Sequence, residues 1–591
     1  MRKTNIITAV LVGAIFPIMP NAKAAQYVWT GSSTGTKGTW ATASNWNVGS
    51  SAATVVPGAS DNLLLTKGNA LTTTTGTITL TATTMSIQDI TIDNTYATAT
   101  RYLQNDSTTA NSTLTLVGGR SAANGNLIST TSAYSQYIRN STSASTYALN
   151  LVLGSSGNFY VSNSSTLASS TGGLKISSDI SETGGARTIT KTGTGVLFLG
   201  NTNATTKQGA AVAGNTFTGG INLSEGQLGY ESKSAFGTGT VTMSGGTVVG
   251  QTAGIGTVDA DRTLANRFVI NGNVGFGDGT YSVYLGGDVD LGAATRNITL
   301  YNSTYFKGVV GNGGLSTDAS GSATRTLYLS GNNTYAGGTT VNSGGLVALN
   351  TTGSATGSGD VTVNAGGMVS GSGKISGTVR GAGLVSAGTT IATYSVVNAG
   401  VTNVLSNTAM LQVGMLDTTS GMSFAFEATS ASLHNSGAYN NDVIRATATA
   451  GSPFTQALTS NNIISIYLNA GSLASYVNGN AGVFQTGFFS DSDFSLGSGT
   501  FNLFVQAAGG LTTFQGLTYQ SWNDYMTATG SGLGQSYAIG TTSATLANGD
   551  SGFISTVTIN SLNTVPEPST PALLMFGLAG LLGLRTSRRK A

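Results

Sequence analysis

The chain has 591 residues, of which only 8% are charged, against about 25% in ordinary globular proteins, and 84 are glycine. A net charge of +2 with scattered basic residues excludes the electrostatic footprint of a nucleic-acid binder. The absence of cysteine excludes disulfides, thiolate metal sites and cysteine nucleophiles, and a single histidine cannot supply a zinc or iron site.

The chain opens with basic Arg2 and Lys3, a mostly apolar stretch from Ile6 to Ile18, and the small residues Ala22 and Ala24 before Ala25. This pattern predicts a signal peptide over 1–24, cut by signal peptidase so that the mature chain starts at Ala25. Residues 25–100 form an N-terminal opening or cap segment, marked by Trp29, Trp40, Trp46 and Pro57-Gly58. The tryptophans either close an open apolar column or stack on sugars. Gly31-Ser32-Ser33-Thr34-Gly35 fits a nucleophile elbow only as letters, since no strand-to-helix turn surrounds it. Thr77, Thr79 and Thr81 alternate as outward threonines do on any half-buried strand, and only secondarily suggest ordered-water binding.

Between 101 and 395 the chain is modular. Asn215-Thr216-Phe217-Thr218-Gly219-Gly220 is matched by Asn333-Thr334-Tyr335-Ala336-Gly337-Gly338 at an offset of 118 residues. The match continues from Leu223–Leu228 to Val341–Leu346, and Gly237–Met243 matches Gly357–Val363 at an offset of 120. Leu197-Phe198-Leu199 answers Leu327-Tyr328-Leu329. Alternation places Val241 and Met243, and likewise Val361 and Val363, on one face, with glycine-rich corners between short strands. No such unit buries its face alone. Stacked coils do so, which predicts an all-β fold: a parallel β-helix (β-solenoid) over 101–395, with about 20 to 25 residues per coil. The best copies, 187–250 and 323–370, resemble the autotransporter-associated β-strand repeat, with Lys191-Thr192-Gly193-Thr194-Gly195-Val196 as its opening strand. That resemblance implies a solenoid of passenger type. The chain departs from true autotransporters in lacking a C-terminal membrane β-barrel pattern.

Several groups are candidates for chemistry. Asp259 and Asp261, and Asp288 and Asp290, each place two carboxylates on one strand face, with Arg262 near the first pair. Calcium held by such carboxylates is the sharper reading, and solvated strand faces the plainer one. Gly371-Ser372-Gly373-Lys374 is similar to a phosphate loop, but Ile375 replaces the required hydroxyl. From 396 to 562 the repeat signature fades and strands such as Ile463–Leu468 predict a C-terminal β-domain, sandwich-like in kind. Within it, Gly549-Asp550-Ser551-Gly552 resembles the nucleophile turn of trypsin-like serine proteases and follows His434 and Asp442. Phe553 stands where that family needs glycine, and no double barrel precedes it.

The tail, 563–591, carries Val565-Pro566-Glu567-Pro568, then an apolar run over 572–584, then Arg585, Arg588, Arg589 and Lys590. Ser569 or Thr570 caps a short hydrophobic helix of roughly 20 Å, short of a bilayer core of about 30 Å. The basic cluster stays cytoplasmic and all that precedes it faces outward. The tail closely resembles the PEP-CTERM family of sorting signals. That resemblance implies recognition by an exosortase-type membrane enzyme, cleavage near Pro566 to Pro568, and transient anchoring by the C-terminal helix, in bacteria that make exopolysaccharide. The expectation is an exported, non-enzymatic surface or matrix protein, structural or adhesin-like and exopolysaccharide-associated, without cofactor or metal. The alternative is a β-helix polysaccharide lyase or hydrolase.

Overall fold

A computed structural model of the protein describes residues 25–30, 37–65, 75–81, 83–92, 100–118, 125–131, 135–140, 147–162, 173–200, 214–250, 263–278, 280–322, 324–388, 408–430, 433–435, 438–447, 454–456, 458–459, 461–469, 482–491, 502–508 and 537–559. Among them the protein is all-β, and its one helical segment is the 3-10 turn Ala43–Asn45. Most strands belong to one large sheet of 37, with a separate sheet of four formed by Thr84–Ile87, Ser112–Leu116, Leu149–Leu153 and Asp179–Glu182.

Local sequence explains the strands. Ser112–Leu116 alternates a buried with a half-buried side for its whole length, and Leu149–Leu153 does the same, as a pleated backbone with one covered face requires. The two pair in parallel, Leu114 opposite Leu151 and Leu116 opposite Leu153. Parallel pairing of this kind repeats along the chain. Ile189 lies opposite Ile221, Ile221 opposite Val241, Val241 opposite Phe268, Phe268 opposite Val289, and Val289 opposite Val310. A second column runs Leu174, Leu197, Leu228, Val248, Phe276, Leu300. Every member of both columns is buried. At about 1.5–3 kcal/mol for each large apolar side chain removed from water, these columns are the main favourable contribution to folding.

Two structural details fix the corners. The amide oxygen of Asn215 accepts from Ile180 N at 2.8 Å, and its Nδ2 donates to Ala235 O at 2.6 Å. Asn333 repeats this with Val310 N at 2.7 Å and Ala355 O at 2.5 Å. Each buried asparagine thus joins the segment before it to the segment after it. A glycine in each following segment is equally constrained: Gly237 and Gly357 both have φ of +64°, and a Cβ would stand 2.3 Å from Phe217 O and 1.9 Å from Tyr335 O respectively. Only glycine adopts that backbone and tolerates that approach.

The ladder continues across the boundary expected at 395–396. Lys374–Gly381 pairs in parallel with Met410–Asp417, which pairs with Val443–Ala446, and that with Gly482–Ser490. On another face Leu384–Ser386, Ser423–Ala428, Ile463–Asn469 and Asn502–Ala508 pair in the same sense. The stretch differs from the preceding one in step length, since Val443 lies opposite Gly487 whereas Ile221 lies opposite Val241. Pairing turns antiparallel at both ends: Gln26–Trp29 with Trp46–Val48, and Ser551–Ile559 with both Gly482–Ser490 and Tyr537–Thr545. These reversed strands cover edges that a parallel ladder leaves open.

Candidate functional site

The tryptophans of the first segment are buried together. Trp46 meets Trp29 at 4.8 Å and Trp40 at 5.0 Å between ring centroids, both edge to face, and donates its indole N–H to Trp40 O at 3.0 Å. Trp29 also lies so close to Gly38 that a Cβ there would meet its ring at 2.7 Å. Buried on all sides, the three rings offer no open face on which a sugar could stack. Thr79 is likewise covered, its hydroxyl on Gly38 O at 3.3 Å, so the threonines at 77–81 form no open array.

Asp288 and Asp290 are engaged by neighbouring strands. Asp288 Oδ1 accepts from Val309 N at 2.9 Å. Asp290 accepts from Gly292 N at 2.8 Å, Asn312 Nδ2 at 2.9 Å and Arg267 at 2.7 Å, and these partners hold its carboxyl below the usual range. No group of three or more metal-ligating side chains occurs among the described residues. Asp259, Asp261 and Arg262 lie outside them, as does the 31–35 motif. At the loop 371–374, the amides of Ser372 and Gly373 both donate to Ala348 O, and that of Lys374 to Asn350, so none points outward to cradle a phosphate.

The protease-like residues do not assemble. His434 contacts Thr545 O through Nε2 at 2.9 Å, whereas the Ser551 hydroxyl lies 3.3 Å from that of Thr545. Asp442 is fully buried and accepts from Ala409 N at 3.0 Å and Glu427 N at 2.8 Å. Burial, reinforced by Glu427 and opposed by those two amides, raises its pKa well above the carboxylate range. Both Asp442 oxygens are thus taken by backbone amides, and the hydrogen bond of His434 goes to Thr545 O instead. Asp550 pairs instead with Arg445, which also holds Asp491 at 2.9 Å and lies against the Phe489 ring. This cluster ties the terminal hairpin to the ladder.

Two features were missed in the sequence. Lys191 is wholly buried in the strand Ile189–Thr192, and its ammonium donates to the carbonyls of Thr192 at 2.8 Å, Gly193 at 2.5 Å and Glu225 at 3.3 Å. Burial lowers its pKa to about 7, with the Glu225 charge acting in the opposite direction. The other is a column of tyrosines, Tyr284, Tyr305 and Tyr328, on directly paired strands. Their signal was the central tyrosine in Val-Tyr-Leu, Thr-Tyr-Phe and Leu-Tyr-Leu.

The signal-peptide residues Ala22 and Ala24 and the sorting residues Val565, Pro566, Glu567, Pro568, Arg585, Arg588 and Arg589 lie outside the described residues, as does the helix expected over 572–584. Among the described residues no helix is long and apolar enough to cross a membrane. No curated protein and no solved structure matches the chain. Residues 564–590, five positions beyond the last described strand at Ile559, match the PEP-CTERM protein-sorting motif, which marks an exported protein sorted to the cell envelope by an exosortase-type enzyme.

Proposed function

We propose that the mature chain is a non-enzymatic β-solenoid of the cell surface or extracellular matrix, structural or adhesin-like, and associated with exopolysaccharide. The observation that carries this reading is the order of parts: an all-β body whose strands pair in parallel from one segment to the next, followed at once by a sorting motif. Supporting the solenoid are the two unbroken apolar columns and the matching roles of Asn215 and Asn333. The same pair supports reading 187–250 and 323–370 as autotransporter-associated-type repeats within a body at 101–395, flanked by a cap at 25–100 and a C-terminal region at 396–562. An outward polar row, in which Asn342 also donates to the Asp318 carboxylate at 3.4 Å, favours a hydrated glycan partner. Asn364 donates to Asn342 at 2.8 Å, and Asn342 to Ser316 at 3.0 Å, giving an amide and hydroxyl row of the kind that hydrogen-bonds sugars. The tail serves as a transient membrane anchor until cleavage.

Mass spectrometry of both termini, in cell-surface and medium fractions, tests the sorting reading. It predicts an N-terminus at Ala25 and a C-terminus near Pro568, and an intact chain ending at Ala591 in the membrane refutes it. Incubation with acidic and neutral glycans tests the rest, with binding and no cleavage expected. Turnover lost on replacing Asp259 and Asp261 would establish the alternative, a polysaccharide lyase or hydrolase.

A further inference from the structure

Tyr284, Tyr305 and Tyr328 occupy equivalent positions on three successive parallel strands. Their rings stack face to face, Tyr284 on Tyr305 at 4.6 Å and 10°, Tyr305 on Tyr328 at 4.3 Å and 6°. Tyr305 and Tyr328 are half-buried, so each residue keeps some surface in solvent. The two neighbours differ in charge environment. Lys307 places its ammonium 5.1 Å from the Tyr284 ring centre. The only other tyrosine stack among the described residues, Tyr102 on Tyr137 at 5.0 Å and 23°, has the Arg139 guanidinium 3.7 Å from the Tyr102 ring centre. A cation over a ring stabilises its electrons and opposes their removal.

We propose that Tyr305 and Tyr328 are a built site for oxidative coupling, joined into dityrosine when the exported chain meets peroxide together with a one-electron oxidant such as a haem peroxidase. Each phenol loses one electron and one proton. The two radicals join through a carbon–carbon bond between ring positions ortho to the hydroxyls, and loss of the two ring hydrogens to the phenoxyl oxygens restores both aromatic rings. One hydrogen peroxide accepts the two electrons and two protons and leaves as two waters. Register does the work that collision does in solution, because the rings already stand at contact distance and need only tilt toward each other. In a chain without cysteine, the product is a covalent staple between successive strands, closing the chain from 305 to 328 and so restricting its unfolded state as any cross-link does.

The test oxidises the full-length purified protein with a haem peroxidase and limiting hydrogen peroxide, then digests it with trypsin. Peptide 297–307 linked to peptide 326–374, lighter by two hydrogens than their sum, is the expected product from monomeric protein. Tyr305→Phe keeps the stacked ring but removes the phenol, and should abolish this product and most of the dityrosine fluorescence while leaving the fold unchanged by circular dichroism. Replacing exposed Tyr301, which shares the first peptide, by Phe should leave the product in place. Three results overturn the proposal: unchanged coupling in Tyr305→Phe, links found only between molecules, or equal coupling of Tyr102 to Tyr137.

Discussion

Removing the side chain of Asn333 should be among the costliest single changes available in the ladder. Asn333→Ala leaves the Val310 amide without its acceptor and the Ala355 carbonyl without its donor, both in the buried interior. An unsatisfied buried backbone group costs about 1–3 kcal/mol, so the two together predict a loss of about 2–6 kcal/mol. A long stacked array need not unfold in one step, so a single denaturation midpoint is a poor measure. The better assay is hydrogen–deuterium exchange resolved by peptide. Exchange at the Val310 amide should accelerate by at least about 30-fold, the equivalent of 2 kcal/mol. Strands as distant as Ser112–Leu116 should exchange as in the parent. The control is Asn364→Ala, which removes only an exposed contact to Asn342 and should change protection by no more than about 0.5 kcal/mol. Equal protection of Val310 in Asn333→Ala and the parent would refute the stapling role of the asparagine.

The glycine corner gives a companion test: Gly357→Ala forces a side chain at φ of +64° against Tyr335 O. It should lower local stability by about 1–2 kcal/mol from backbone strain alone, and by more from the clash, read by exchange in 333–363. Trp46→Ala should remove about 3–5 kcal/mol and expose the first strands to protease, since Trp46 anchors the buried tryptophan cluster. For Lys191, the folded-state pKa of about 7 lies below the ordinary lysine value, so the unfolded chain binds more protons between the two. Stability around 189–226 should therefore rise as pH increases from 7 toward 10. Lys191→Met should flatten that rise, and a parent profile that falls with pH would contradict the assignment.

Alternation in short runs such as Val-Thr-Met and Val-Thr-Val, glycine at the corners and the Asn-Thr-aromatic unit were sufficient to predict an all-β protein with inward Val241 and Met243, because a period of two and a required positive φ are properties of a few adjacent residues. The sorting motif was legible for the same reason, being a covalent order of parts: Pro-Glu-Pro, an apolar run, then arginines. What no short window contains is the partner of each strand. The step between paired strands varies from Val361 opposite Val379 to Val443 opposite Gly487, and no local composition reports that step. Only the register decided that Asp290 meets Arg267, that Asp442 accepts from two amides, that the ammonium of Lys191 reaches three carbonyls, and that three tyrosines some twenty residues apart in sequence stack as one column. A one-residue slip in any pairing would send each of these side chains to the opposite face, so the sequence determined the kind of surface and the tertiary structure determined which groups share it.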